Sequence, residues 1–174
     1  MTEVNAVEPA RVRDIAEVFG ALSWPAPREE MADIGARLGW TIGSETPNST
    51  RFDTGFPTNA SRGGVTVDDG NIGQVTISLT DRLRDPDASQ AKALSSAAAT
   101  FRDELSSVLG EPVRSKGGAQ SRYTWDLPNQ GRIALTDSGG AVKVIVLQKR
   151  YADIERREER LGIPDDRDPD ADLA

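Results

Sequence analysis

Three consecutive apolar segments within residues 121–147 constrain the fold more than any other part of this sequence. Apolar and polar residues alternate over 121–127, which is the period of a strand with one face toward solvent. Turn-forming residues at 128–131 and 137–140 separate this segment from two further apolar ones. The last of them, 141–147, is apolar on both faces and is therefore expected inside a sheet. The sequence predicts an antiparallel three-stranded meander.

Four other segments have the periodicity of amphipathic helices, with apolar residues every three or four positions. These helices are predicted to begin near Pro9, Pro27, either Asp85-Pro86 or Asp87, and Arg150. Gly39 is expected to cap the second helix in the left-handed conformation. The last helix is so highly charged that we expect mostly solvated faces. Its narrow apolar seam would consist of Tyr151, Ile154, Glu158 and Leu161.

A second group of strands precedes the longest helix. Residues 65–67 and 75–79 alternate and flank Asp68-Asp69-Gly70-Asn71, which predicts a hairpin. A further strand is expected at 51–56, and 40–42 is a candidate short strand outside the three counted here. The predicted order is α-α-β-β-β-α-β-β-β-α. We therefore expect an α+β fold: a largely antiparallel sheet of about six strands, built from two hairpin or meander units, with helices packed mainly on one face.

The distribution of charge indicates one domain and an acidic tail. The 174 residues carry a net charge of -7, and residues 163–174 account for -4 of it through five aspartates and one arginine. We expect a single domain over 1–162 and a disordered tail over 163–174. An acidic body does not favour nucleic-acid binding, and no apolar segment reaches the roughly 20 residues that span a bilayer. Without a signal-peptide pattern, a cytoplasmic location is expected.

The sequence contains neither cysteine nor histidine. Disulfides, thiol nucleophiles, the common zinc sites and Ser-His-Asp chemistry are therefore excluded. Any catalysis would depend on carboxylates, lysine, tyrosine or hydroxyl groups. We expect a protein that is not an enzyme and that has no cofactor, metal or catalytic residue.

Asp53-Thr54-Gly55 is the one segment that suggests catalysis. Aspartic proteases use this triplet, with two such aspartates sharing a proton, so a single copy would require a homodimer. The alternative is a strand end in which Gly55 adopts an unusual backbone angle and Asp53 accepts hydrogen bonds from nearby N–H groups. A carboxylate-dependent hydrolase using Asp53 therefore remains an alternative to a binding function.

Two glycine-containing loops are the predicted partner-binding surface, because binding residues concentrate on loops held by a rigid sheet. They span residues 59–71 and 114–120. The candidate binding residues are Arg62, Gly63, Gly64, Asp68, Asp69, Arg114, Lys116, Gly117, Gly118 and Gln120. A merely solvated hairpin turn is the alternative for Asp68 and Asp69. The three tryptophans are expected to anchor the core; the alternative is that Trp24 and Trp40, each beside a helix end, are half exposed and form a second candidate surface.

Several short motifs of this chain resemble those of a known group of proteins. They are Leu22-Ser23-Trp24-Pro25, Leu38-Gly39-Trp40, Asp53-Thr54-Gly55-Phe56, Leu109-Gly110-Glu111-Pro112 and Arg122-x-x-Trp125. The chain resembles small actinobacterial proteins encoded near polymorphic toxins and type VII secretion genes. Its acidity and its 17 arginines against 4 lysines are also similar to immunity factors of the tuberculosis necrotizing toxin type, whose target is an NAD glycohydrolase.

The resemblance implies an immunity protein, or antitoxin, that binds one cognate toxin in a 1:1 complex and blocks its active site. If the toxin cleaves NAD, an acidic inhibitor would be steered to its phosphate-binding cleft, where Asp68 and Asp69 could replace phosphate oxygens. Neither nucleic acid nor membrane is an expected partner. An adaptor or chaperone for a secretion substrate remains a further alternative.

Overall fold

The structure is a computed structural model that describes residues 3–118 and 120–163. The described residues form four helices and one eight-stranded antiparallel sheet. The helices are α1 (Pro9–Gly20), α2 (Glu30–Leu38), α3 (Ala88–Leu109) and α4 (Lys149–Arg160). The strands are β1 (Thr41–Thr46), β2 (Ser49–Asp53), β3 (Arg62–Asp68), β4 (Asn71–Ser78), β5 (Arg114–Lys116), β6 (Ser121–Asp126), β7 (Arg132–Asp137) and β8 (Val142–Leu147).

The strand order β1-β2-β3-β4-β8-β7-β6-β5 joins two four-stranded meanders at their last strands, β4 and β8. The predicted α+β class, the antiparallel sheet and the two meander units are confirmed. The expected number of about six strands is too low, because β5 lies within the segment 114–120 that we predicted as a loop and β1 continues beyond the short strand predicted at 40–42. Both are edge strands composed mainly of polar residues, so no apolar alternation marks them.

Helices α1, α2 and α3 cover one face of the sheet, which we call the helix face. Strand residues that pair directly across β4 and β8, such as Val75 with Val146 and Ile77 with Val144, are buried on this face. They form one core with helix residues that include Phe19 and Phe101. Burial of such side chains contributes roughly 1.5–3 kcal/mol each and explains why the apolar periodicity predicted these elements.

Helix α4 lies on the opposite, open face. The alternation along β7 places Arg132 on this face, and Arg132 contacts Glu155 and Glu159 of α4. The expectation that helices pack mainly on one face is therefore correct for three of the four helices in the described residues. No helix in the described part of the chain has both the length and the apolar character of a membrane-crossing segment. Residues 164–174 of the predicted tail lie outside the described residues.

The helix ends follow the sequence signals. Pro9 opens α1, and Gly39 ends α2 with a φ of 73°. Asp87 caps α3 through a capping box: its carboxylate accepts the Gln90 N–H, and the Gln90 side chain accepts the Asp87 N–H. These three signals act within a few residues of the helix end, which is why they could be recognised in the sequence.

Adjacent glycines in β3 provide a matched test of this packing. A Cβ on Gly63 would lie 2.3 Å from ring atoms of Phe52 and 2.9 Å from the Thr76 carbonyl oxygen, whereas a Cβ on Gly64 has only the Arg51 side chain at 3.8 Å. Overpacking a well-packed site typically costs about 1–3 kcal/mol. We expect Gly63→Ala to lower the free energy of unfolding by that amount and Gly64→Ala to leave it nearly unchanged. Denaturant unfolding of both variants measures the difference, and equal effects would contradict the assigned register.

Candidate partner-binding site

The β3–β4 hairpin turn is the best-defined element of the candidate site. Asp68 pairs with Asn71, and the two residues between them, Asp69 and Gly70, have φ values of 52° and 76°. Left-handed backbone at both central positions is the geometry of a type I′ turn, which asparagine or aspartate followed by glycine favours. The hairpin predicted from Asp68-Asp69-Gly70-Asn71 is confirmed.

Neighbouring segments hold the turn on both sides. On one side, the Arg28 N–H donates to the Gly70 carbonyl at 3.0 Å, and the Ile72 N–H donates to the Ala26 carbonyl at 2.8 Å. On the other side, the Arg150 guanidinium of α4 donates to the Asp68 carboxylate at 3.2 Å. The turn thus makes three contacts with segments that are distant in sequence.

A groove of about 540 Å³ opens between this turn, the α1–α2 connection and α4. We call it the turn groove. It is lined by Trp24, Pro25, Asp68, Asp69, Asn71, Gln148, Lys149, Arg150, Asp153, Ile154 and Arg157. Ile154 is 49% exposed, contrary to its predicted place in an apolar seam. The groove combines aromatic and aliphatic surface with carboxylates and guanidinium groups.

Asp68 and Asp69 have different surroundings. Asp68 is held by Arg150 and also lies beside Tyr151, whose pKa is raised by burial of the phenol and by the Asp68 charge. Asp69 is exposed, and its carboxylate has no ion pair within the described residues. Both residues were predicted from the sequence to contact the partner. The geometry makes Asp68 a support for the turn and leaves Asp69 as the carboxylate available to a partner.

Trp24 lies at the other wall of the groove and is partly exposed, as predicted. Its indole packs closely against Gly131: a Cβ on Gly131 would lie only 2.7 Å from the indole Nε1. Trp40, the other tryptophan proposed for this surface, is only 6% exposed. Its ring stacks on Phe52 with centroids 4.6 Å apart. Trp40 therefore belongs to the core, as the first interpretation of the tryptophans predicted, and the alternative that it contacts a partner is wrong.

Three of the predicted loop residues lie in a regular strand. Arg62, Gly63 and Gly64 belong to β3, where they pair with β2 in unbroken register. The loop prediction for them is wrong. The glycines suggested flexibility, but at Gly63 the strand requires a glycine because a side chain there would collide with the Phe52 ring. Arg62 and Gly64 face the open side of the sheet, and neither lines the turn groove with Asp69.

The second predicted loop is likewise partly a strand. Arg114 and Lys116 belong to β5, which pairs with β6, and Arg114 also forms an ion pair with Glu159 at 3.3 Å. The remaining candidates, Gly117, Gly118 and Gln120, follow β5 toward β6. Strands β3 and β5 are five positions apart in the sheet, roughly 24 Å at the usual strand spacing. The candidate residues therefore do not form one surface.

Sequence analysis did not predict the ionic network beneath α4. Arg132 is only 3% exposed and donates to Asp126 at 2.9 Å, to Glu155 at 3.2 Å and to both carboxylate oxygens of Glu159. The predicted apolar seam of the last helix is wrong, since Leu161 is exposed and the carboxylates face the sheet. The available signal was the i, i+4 spacing of Glu155 and Glu159 together with an arginine in an apolar strand.

The same network determines the protonation of its members. Burial of the Arg132 guanidinium opposes its charge, but hydrogen bonds to Glu159 and Asp126 raise its pKa overall. Hydrogen bonding to Arg132 lowers the pKa of Glu159 despite partial burial. Burial raises the pKa of Asp126, but hydrogen bonds and charge interactions with Arg132 and Arg156 outweigh burial. The pKa of Asp126 is therefore lowered overall.

This arrangement predicts loss of stability in acid. A carboxylate whose folded pKa is depressed stabilises the fold above its ordinary pKa, and that contribution is lost as the pH falls through the depressed value. The ordinary values are 4.5 for Glu159 and 3.8 for Asp126, so the loss should begin near these values and continue below them. Between pH 7 and pH 3, the melting temperature should fall less steeply for Glu159→Gln than for the wild type. Parallel curves would contradict a stabilising role for ionised Glu159.

Asp53, the residue of the hydrolase alternative, lies at the exposed end of β2. Its carboxylate accepts the Gly55 N–H at 2.8 Å, and Gly55 has a φ of 68°. Thr54 is buried and donates its hydroxyl to the Ser61 carbonyl at 2.9 Å. These contacts fit the turn interpretation of the triplet. Within residues 3–118 and 120–163, no cluster of three or more His, Cys, Asp and Glu side chains could hold a metal ion.

The fold and the groove define an α+β protein built on one open antiparallel sheet, with a rigid turn beside a partly exposed tryptophan. By sequence the chain belongs to a family of unknown function, DUF6301, which matches residues 10–148. The match includes Trp24 and Asp69 and ends just before α4. No curated protein and no solved structure matches the chain.

Proposed function

We propose that this protein is a cytoplasmic immunity protein that binds one cognate toxin in a 1:1 complex through the turn groove and blocks the toxin's active site. The observation that supports the proposal best is the rigid β3–β4 turn, which presents the unpaired Asp69 carboxylate beside Trp24 and the exposed Ile154. The protein acts by binding and catalyses no reaction itself.

Each part of this surface has a physical role in binding. Tryptophan is enriched among the residues that dominate interface energetics, and an exposed isoleucine adds apolar area around it. Because Gly70, Ile72 and Asp68 are already held in place, the turn loses little conformational freedom on binding. Rigid presentation of this kind favours high affinity.

The carboxylate suits the toxin class that the sequence resemblance suggests. An enzyme that cleaves NAD needs positive potential for the pyrophosphate, and an acidic protein is attracted to such a cleft. Asp69 lies at the tip of a hairpin, the part of the surface that can enter a cleft. Its carboxylate would take the place of phosphate oxygens there.

Co-expression tests the proposal. A toxin domain sought among the adjacent genes is induced in bacteria that also produce the wild-type chain, the Trp24→Ala/Asp69→Ala variant, or an Arg37→Ala/Asp33→Ala variant altered on the exposed side of α2. We expect the wild type and the α2 variant to restore growth and the groove variant to fail at equal protein level. Failure of the wild type to protect would overturn the immunity function, and full protection by the groove variant would overturn the assigned surface.

A further inference from the structure

The open face of the sheet carries a second charged surface, beyond the end that α4 covers. We propose that this surface binds a compact oligophosphate, the di- or triphosphate group of a small molecule. Its cations are Arg51, Arg62, Arg82 and Lys143. The site is separate from the turn groove and does not depend on the immunity function.

Strand register brings these groups together. Gly64 of β3 lies between Arg51 of β2 and Thr76 of β4, and Ser78 of β4 lies opposite Lys143 of β8. Because paired residues of antiparallel strands point to the same face, all of them face the open side. They surround a depression of about 280 Å³ that also includes Arg62 and Arg82.

Small side chains keep the floor of the depression low. Gly64 has no side chain, and the Arg51 guanidinium lies 3.8 Å from the position its Cβ would have. Hydroxyl groups complete the lining, from Ser49, Thr66, Thr76 and Ser78. These groups can donate hydrogen bonds to anionic oxygens, and none of them fills the depression.

The charge of this surface is not neutralised by the protein. No carboxylate lines the depression, and none of the four cations forms an ion pair within the described residues. Asp53 is opposite Arg62 in the register, but its Oδ1 accepts the Gly55 N–H. By contrast, the arginines beneath α4 are all paired. Four unpaired cations at one place are unexpected in a protein with a net charge of -7.

The cations also repel one another. Burial and the neighbouring Arg82 charge lower the pKa of Lys143, so the ammonium is less stable here than in water. A bound anion would relieve that repulsion. This effect supports the site that the geometry defines.

The compactness of the cluster favours phosphate over carboxylate. A di- or triphosphate carries several negative charges within a few ångströms, and guanidinium groups bind such oxygens in bidentate geometry. An acidic peptide carries at most one carboxylate per residue, about 3.3 Å apart in extended chain and on alternating sides. A single depression matches the first distribution of charge better than the second.

Calorimetric titration of the full chain with inorganic triphosphate and with ATP tests the proposal. We expect binding of both ligands by the wild type, and at least tenfold weaker binding by Arg62→Gln/Lys143→Gln. The control Arg11→Gln/Arg13→Gln removes the same charge from α1 and should bind within about twofold of the wild type. Tighter binding of ATP would mark a nucleotide ligand, and equal binding would mark recognition of the phosphates alone; both support the site.

Three results would overturn the proposal. The first is absence of binding by the wild type, and the second is an equal loss in the control variant, which would indicate only non-specific attraction. The third is binding that appears only when Asp165, Asp166, Asp168, Asp170 and Asp172 are all replaced by asparagine. That result would identify the chain's own acidic segment as the occupant. Unchanged toxin protection by Arg62→Gln/Lys143→Gln would distinguish this site from the turn groove.

Discussion

Replacing Arg132 with alanine should lower the free energy of unfolding by about 3 kcal/mol, near the lower end of the cost of breaking a buried ion pair by removing one partner. The substitution leaves Asp126, Glu155 and Glu159 facing one another without the guanidinium that links them. The lower end applies because these carboxylates are partly exposed and because each keeps one ion pair with another arginine. For a chain of this size the melting temperature should fall by roughly 10 °C.

The control is Arg11→Ala, which removes the same side chain from an exposed ion pair. Arg11 pairs with Asp14 on α1 at 3.3 Å, and its side chain is 56% exposed. Exposed pairs contribute about 1 kcal/mol or less, so the melting temperature of this variant should remain close to that of the wild type. A similar small effect in both variants would show that α4 is not held by the Arg132 network.

The sequence predicted the parts of the fold that burial alone determines. Strands β4 and β8 were recognised because one or both of their faces are apolar, and the cap at Asp87 was recognised because it is local. Edge strand β5 and most of β1 were missed because their stability comes from hydrogen bonds to β6 and β2, which leave no pattern in the side chains.

Charged helices are usually solvated, and that expectation failed for α4. Its carboxylates bind Arg132 across 23 and 27 positions of sequence, a relation that periodicity does not reveal. In the candidate site too, the local feature was predicted and the contact between distant residues was not. The Asp-Gly turn was predicted from its own residues, whereas its proximity to Trp24 depends on the bridge between Pro27 and Asn71.

The second large effect is expected in toxin binding. Trp24→Ala and Asp69→Ala should each weaken the affinity for the toxin domain by about 2 kcal/mol or more, which is roughly 30-fold, because both are placed at the centre of the proposed interface. Asp68→Ala should have a smaller effect, because the Asp68 carboxylate is already paired with the Arg150 guanidinium. Calorimetric titration of each purified variant into the toxin domain gives the three affinities.

Lys116→Ala is the matched control for these substitutions. Lys116 was also proposed as a contact, but it lies in β5 at the far edge of the sheet from the turn. Its replacement should leave the affinity within about twofold of the wild type. A loss of 2 kcal/mol for Lys116→Ala with no loss for Trp24→Ala would move the interface to the β5–β6 connection.

Inhibition of the toxin's enzymatic activity tests the proposed function most directly. The purified wild-type chain is titrated into a fixed concentration of the toxin domain while NAD hydrolysis is followed. The account predicts that activity falls linearly and reaches zero at one molecule of the chain per molecule of toxin, and that Trp24→Ala/Asp69→Ala shifts the curve to much higher concentration. Full NAD hydrolysis in the presence of excess wild-type chain would contradict the account.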